Sequence, residues 1–430
     1  MIGRLLSDKS TLATSTDGTA HERTGTFRAL RHRNFRLFWI GQLISLIGTW
    51  MQSLALQWLV YQLTGSPKAM GTVAALTSLP VLLVSPFTGV LIDRYPKRWI
   101  IFIAQIVAML STLLMTMLIF TGAVQYWHIL VLAIINGTYN AVDMPARQSF
   151  TSEMIGDKQD LGNAIALNAS MFNGARFIGP AVAGVLVGLV GIGWAFLINA
   201  LSFIAVLAGL LMMDGSTIRQ SEPSKGSPIR NFVDGARYAM QHPVIKTILL
   251  LVLVPSVLGF GYVSLLPIFA DKILVTSLIP DGATRLGIIM MANGFGALIG
   301  ALRMAQAKSD ENRRTTLLRG ALGFGLGICL MAINHSFWLA IPIMTLTGFS
   351  MVSFLATANT MLQTTASDLL RGRVMSFYVM VLVGLGLVGS LQAGFVAERW
   401  GVPIATGIGG AACVMSALWG IRARGLKEYK

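Results

Sequence analysis

The chain has 430 residues, 54% of them hydrophobic and only 12% charged, with a mean hydropathy of +0.68. A soluble domain of ordinary make-up carries about twice that share of charge, so a soluble globular protein is excluded. The net charge of +15 would suit nucleic acid if it were gathered on one soluble face, but the bases fall in tails and short connections between apolar runs, the pattern that orients membrane helices.

Residues 1–35 hold Ser, Thr, Gly and several bases without an apolar stretch long enough for a signal peptide, which predicts an uncleaved, disordered tail. Its end, Arg28 to Arg36, sets Leu30 and Phe35 among bases and predicts a short amphipathic lead-in on an anionic leaflet. Twelve apolar runs follow, each near the ~20 residues that cross ~30 Å of hydrocarbon. The first six cover 37–62, 69–92, 99–121, 128–148, 161–190 and 193–213; the second six cover 244–270, 286–307, 317–333, 337–364, 374–397 and 402–421. A polar interval at 214–243 separates the sets. The expected organisation is an all-α membrane protein: basic tail 1–35, six-helix bundle 36–213, cytoplasmic linker 214–243, six-helix bundle 244–421 and tail 422–430. With the N-terminus cytoplasmic, only Lys68, Lys272, Arg285 and Arg399 among the 33 bases fall on the outer side and Arg176 falls at membrane depth. That asymmetry places both termini in the cytoplasm of a cell membrane.

Between the second and third runs lies a hairpin in which Asp93, Arg94, Lys97 and Arg98 crowd into a few residues after Gly89. A carboxylate at the C-terminal end of a helix is disfavoured by the dipole, so Asp93 needs a partner elsewhere. A gate element and a positive loop that only sets topology are both open readings. On the fourth run Asn136, Tyr139, Asn140, Asp143 and Arg147 share one helical face. A charge at membrane depth costs at least ~2.5 kcal/mol unless paired or wetted, so this stripe must face protein or water. Arg176, deep in the fifth run, is either an anchor for an anionic or polar substrate or a buried partner for carbonyls and Asn residues. Gln42, Ser45, Thr49 and Gln52 share a face of the first run and, with Asn359 and Gln363 on the tenth, are candidates to line a cavity.

The fifth run also carries small residues at close-packing spacing, Ala175, Gly179, Ala183 and Gly184, around Pro180, which removes one backbone donor. Gly179, Gly184 and Gly191 recur as Gly389, Gly394 and Gly401 at a constant offset of 210 residues, so the halves read as copies.

These segments carry a resemblance. Gly89 to Arg98, G-x-L-x-D-R-x-x-K-R, resembles the loop signature of the major facilitator superfamily, with Pro96 where that signature has Gly. Ala175 to Gly184 is similar to the superfamily's antiporter signature, G-x-x-x-G-P-x-x-G-G, with Ala175 and Ala183 in place of two glycines; a plain helix-packing face is the other reading. The opening at Arg33 to Ser45 and the segment Asp143 to Ser149 look like the branch containing the enterobactin exporter and macrolide efflux proteins. The resemblance implies two pseudo-symmetric six-helix bundles rocking about a midplane site, a small-molecule substrate, outward movement driven by protons, and a monomer without cofactor. It further implies a charge relay from Lys97 to Asp143, with Arg94 and Arg147 nearby, while Asp93 accepts from the first amides of the eleventh run, Gly372, Arg373 and Val374. The pseudo-symmetry predicts a second pairing, of Arg303, Lys308, Arg313 and Arg314 with Glu153, Asp157 and Asp160.

Other classes find less support. No Walker-type phosphate loop is present, and the five histidines, His21, His32, His128, His242 and His335, fall in tails or loops without metal spacing. Cys329 and Cys413 sit inside apolar runs and read as packing. A lipid or lysophospholipid transporter of the same fold is the alternative within the class. A polytopic membrane enzyme would need a membrane-level acid, base or nucleophile cluster, and a receptor would show no flux.

Overall fold

The computed structural model describes residues 27–155, 158–215, 228–306, 312–367 and 370–427, without the side chains of residues 85, 86, 89, 90, 93, 158, 159 and 228–232. Residues 1–26, expected as a tail, and Asp157 and Lys308 of the expected pairing lie outside that description. Among the described residues, twelve helices are long and apolar enough to cross a membrane. They are α1 (Arg33–Thr64), α2 (Pro67–Arg94), α3 (Lys97–Phe120), α4 (Tyr126–Met154), α5 (Lys158–Val190) and α6 (Ile192–Leu211), then, after a shorter α7 (Pro228–Gln241), α8 (Pro243–Ile273), α9 (Gly282–Gln306), α10 (Arg313–Ile333), α11 (Phe337–Thr365), α12 (Arg371–Trp400) and α13 (Val402–Arg422).

Helices are the form an apolar run takes in lipid because every backbone N–H and C=O must then find its partner within the segment. The same need carries several helices past the apolar run into polar residues. Helix α4 continues to Met154 through Asp143, Arg147 and Glu153, each of which finds an oppositely charged partner. Helix α2 begins where Ser66 caps Ala69 N–H at 3.2 Å and Pro67 takes the first helical position. Gly191 and Gly401, the equivalent residues of the repeat, both hold left-handed backbone, with φ of 96° and 92°. A side chain there would be strained, so the turns after α5 and α12 need glycine.

Two features depart from the sequence reading. The polar interval 214–243 contains α7, which is seated on the start of α12: Asp234 pairs with Arg373 at 3.0 Å, and a Cβ on Gly235 would stand 2.7 Å from the Arg373 carbonyl oxygen. The spans α8 and α12 are interrupted by π turns, at Pro255–Gly259 and Phe269–Ile273 in the former and Met380–Gly384 in the latter. Pro255 has no N–H to donate, which accounts for the first interruption.

The chain ends and the hairpin after α2 lie at one end of the bundle, here the terminus end; Gly65, Gly122, Gly191 and Gly401 turn the chain at the far end. Among the described residues, the buried apolar side chains form three clusters. At the far end one cluster joins both sets of six helices, running from Leu54, Trp58 and Phe196 to Tyr262, Phe269, Leu286 and Phe324. At the terminus end the core is split. Phe35, Phe38, Ile101 and Phe150 belong to a cluster of the first half alone, and Ile248, Phe354, Met361 and Tyr378 to one of the second.

The repeat is visible in the packing. A Cβ on Gly179 would stand 2.9 Å from the carbonyl oxygen of Ile47 on α1, and one on Gly389 would stand 3.1 Å from that of Val257 on α8, the same contact 210 residues on. The next glycines of each motif join the halves: Gly184 meets Gly287 of α9, and Gly394 meets Gly71 of α2.

Candidate functional site

Polar contacts reinforce the far-end closure. Tyr61 at the end of α1 donates to Asp271 Oδ2 at 2.5 Å, across the halves. Glu398 Oε2 accepts from Ser66 Oγ at 2.9 Å and from the Lys68 backbone N–H at 3.2 Å, where the positive end of the α2 dipole favours a carboxylate. Thr284 Oγ1 donates to the Gly184 carbonyl at 3.2 Å. Both carboxylates belong to the second half and their donors to the first.

At the middle of α5, Arg176 faces the second half. Its Nη2 donates to Asn293 Oδ1 at 2.8 Å and lies 3.9 Å from Met351 Sδ, while its guanidinium carbon stands 5.5 Å from the centroid of the Trp50 ring. Asn293 is held in turn, its amide nitrogen 3.4 Å from both the Tyr262 hydroxyl and the Met344 carbonyl. The rings of Phe177 and Phe295, 5.6 Å apart, pack at the same level. Nearer the terminus end of α5, a Cβ on Gly174 or Gly162 would meet nothing within 4 Å.

Inside the first half a polar chain links three helices. Arg147 pairs with Asp143 on α4 and donates to Gln42 on α1, and Gln105 on α3 donates to Asp143 Oδ1 at 3.1 Å. Lys97 pairs with Glu153, both nearly fully buried at 6% and 4% exposure. The expected relay from Lys97 to Asp143 is therefore replaced by two separate ion pairs. Arg147 lies one turn from Asp143 on the same helix, so it needs no long-range contact, and Glu153 lies closer to the loop. The expected pairing of Arg303 with Asp160 is also absent: Asp160 is held by Arg28 and His32 of the segment before α1, and Arg303 stands over the Phe349 ring at 5.8 Å.

The remaining expected cavity residues separate into small groups. Gln52 accepts from Thr112 at 3.1 Å and from Asn199, and with Asn136 lines a cavity with room for about one water molecule between α1, α3, α4 and α6. Thr49 donates back to the Ser45 carbonyl at 2.8 Å, and Asn140 to the Asn136 carbonyl at 3.0 Å. Gln363 donates to Asn359 at 2.5 Å along α11. Tyr139 is half-buried beside these groups.

Comparison with known proteins gives this arrangement its family. A family model described as transmembrane secretion effector matches residues 24–429. The chain belongs to that family, a branch of the major facilitator superfamily. It is 26% identical over 363 residues to the multidrug efflux pump Tap of Mycolicibacterium fortuitum, covering 83% of this chain and 87% of that one. It is 25% identical over 369 residues to the staphyloferrin A transporter of Staphylococcus aureus, covering 85% and 90%. In fold it is similar to a POT family transporter solved with 5-aminolevulinic acid, with a TM-score of 0.71, 13% identity and coverage of 94% and 97%. The protein is thus a multi-pass membrane transporter of the major facilitator type.

In this transporter the antiporter-like segment lies on the seam. Ala175 and Ala183 are fully buried, Gly179 packs on α1 and Gly184 on α9, and the Pro180 carbonyl would be 2.8 Å from a Cβ on Gly287. Of the hairpin signature, the side chains of Gly89 and Asp93 lie outside the described residues; Arg94 is exposed, and Arg98 donates to the Leu211 carbonyl at 3.2 Å. At the expected receiving end the Val374 N–H is already bonded to the Leu370 carbonyl at 2.9 Å, a correction that leaves Gly372 and Arg373 as the amides for Asp93 to meet. Tyr61, Ser66, Trp50 and Tyr262 escaped the sequence reading. Tyr61 carried a usable signal, since it and Asp271 are separated by the same 210 residues as the repeated glycines.

Proposed function

We propose that this transporter is a proton-coupled exporter of small amphipathic molecules, working as a monomer in a cell membrane with both termini in the cytoplasm. The observation that carries the reading is the division of the apolar core, shared at the far end and split at the terminus end, with Arg176 on the seam between them. Two bodies that share an apolar core at one end and keep separate cores at the other can rock, and a molecule between them then meets one side of the membrane at a time. On this reading, the far-end-closed arrangement gives the site access from the terminus side. In the opposite arrangement Asp93 meets the Gly372 and Arg373 amides at the positive end of α12 and, with Arg94 and Arg98, latches the cytoplasmic side.

Outward movement and proton drive are supported by the likeness of Ala175 to Gly184 to the antiporter signature, and by a relative named as a multidrug efflux pump. The scarcity of bases at the far end supports the orientation. The test is flux in everted vesicles under an imposed pH gradient, acid inside, with a panel of amphipathic dyes and drugs. The parent should accumulate substrate and lose that activity with a protonophore, and Asp93→Asn should be inactive at normal abundance. Flux indifferent to the gradient sinks proton coupling; full activity in Asp93→Asn sinks the latch.

A further inference from the structure

Two arginines on the helices that meet at the seam, α5 and α9, are held in opposite ways. Arg285 on α9 is a structural arginine: Nε donates to the Ala270 carbonyl at 2.6 Å, and Nη1 to those of Ile279 at 2.6 Å and Pro280 at 2.9 Å. Those carbonyls close the end of α8, and little donor capacity is left over. Arg176 has five N–H groups to place. Among the described residues it makes one hydrogen bond to oxygen, from Nη2 to Asn293, and has no carboxylate within ion-pairing distance. Its Nε and Nη1 donate to no described residue. The surroundings are neutral on every side: Trp50 beneath the guanidinium, Met351 at its edge, Asn293 fixed by Tyr262 and the Met344 carbonyl.

A lone cation at this depth is costly, and the cost is removed when an anion pairs with it. The free edge of a planar guanidinium is shaped to take two oxygens of one group. We propose that Arg176 receives a single anionic group, a carboxylate or sulfonate, on the transported amphiphile, with Trp50 and Met351 taking the apolar body next to it. This deepens the transporter reading above and rests on it for the word transported. Because Arg176 belongs to the first half and Asn293 and Met351 to the second, the bound anion sits at the seam that opens and closes.

The test uses three probes with one ring system and different charge: 2-naphthoate, 2-naphthamide and 2-naphthylmethylammonium. Their binding to the full chain in phosphatidylcholine nanodiscs is measured by equilibrium dialysis, with empty discs subtracted. The expected result is naphthoate held at least about tenfold more tightly than the amide, with the ammonium weakest. Arg176→Gln should erase that preference. Asn293→Asp, a near-isosteric change that places a carboxylate on Nη2, should erase it as well and does not depend on losing a buried charge. No preference for naphthoate in the parent, or a preference that survives both variants, overturns the proposal. A preference abolished by adding phosphatidylglycerol to the discs assigns the site to lipid headgroups and overturns it too. Naphthoate preference without proton-driven flux would refute the exporter reading and leave the anion site standing; flux without the preference does the reverse.

Discussion

A methyl group at Gly184 should move the whole transporter from one arrangement to the other. In the far-end-closed state a Cβ there would stand 2.7 Å from the Gly287 Cα and 3.1 Å from the Ala283 carbonyl oxygen, where ordinary contact begins at 3.4 Å. Both obstacles are backbone, so no rotamer can relieve them and α5 and α9 must part by several tenths of an ångström. Overpacking of this kind costs about 1–3 kcal/mol. The cost falls only on the state in which the two helices touch, whereas the gain in helix propensity from Gly to Ala, up to ~1 kcal/mol, is common to both. Gly184→Ala should therefore lower the ratio of far-end-closed to far-end-open molecules by roughly 5- to 150-fold. The assay is a distance distribution between spin labels at Ala123 and Leu278, exposed far-end positions in opposite halves, in a background with Cys329→Ala and Cys413→Ala. The matched control is Gly174→Ala, whose added methyl meets nothing within 4 Å. Identical distributions for the two variants would refute the argument that glycine contact sets the closure.

Lys97→Met or Glu153→Leu alone breaks a buried ion pair and should cost about 3–5 kcal/mol in equilibrium unfolding from mixed micelles. The double variant should return to within about 1–2 kcal/mol of the parent, and a loss equal to the sum of the singles would count against direct pairing. Tyr61→Phe removes a charge-assisted hydrogen bond worth about 1.5–3 kcal/mol at the far end, and Asp271→Asn reduces it to a neutral one. Their effects on the same label distances should not add, and additive effects would mean that the two residues act separately. The pair of Arg373 with Asp234 is 34% and 41% exposed, so Arg373→Ala should cost no more than about 1 kcal/mol. Gly235→Ala should dislodge α7, seen as faster proteolysis of that helix, because its methyl would enter the Arg373 backbone. Equal proteolysis of the two variants would argue against the seating.

The spans were legible because a lipid-facing residue has to be apolar whatever it packs on, so hydropathy alone located all twelve helices. The pairing of charges was not. Lys97 has several acids within reach of any sequence argument, and only the packing of α3 on α4 selects Glu153 over Asp143. The bond between Asp143 and Arg147 was there to be read, since an acid four residues before a base on one helix is a short-range pair. Asp160 was expected to reach across the halves, but Arg28 and His32, residues assigned to a membrane-surface lead-in, cover it first. The far-end clasp was hidden for a different reason: Tyr61 and Ser66 are unremarkable in composition and gain meaning only from the carboxylates brought opposite them.

The π turn at Met380–Gly384 means that α12 carries one residue more than a regular helix of its length would need. Deleting a single residue there would let the backbone revert to α-helix with the residues beyond it still on the same face, because the wider turn has already absorbed the surplus. Deleting one from a regular turn of α12 instead would rotate everything beyond it by about 100°, swing Gly389 and Gly394 away from α8 and α2, and drive larger side chains into the places they fill. The wider turn is thus the slack in the gearing of the second half, taking up one residue without moving the teeth out of mesh.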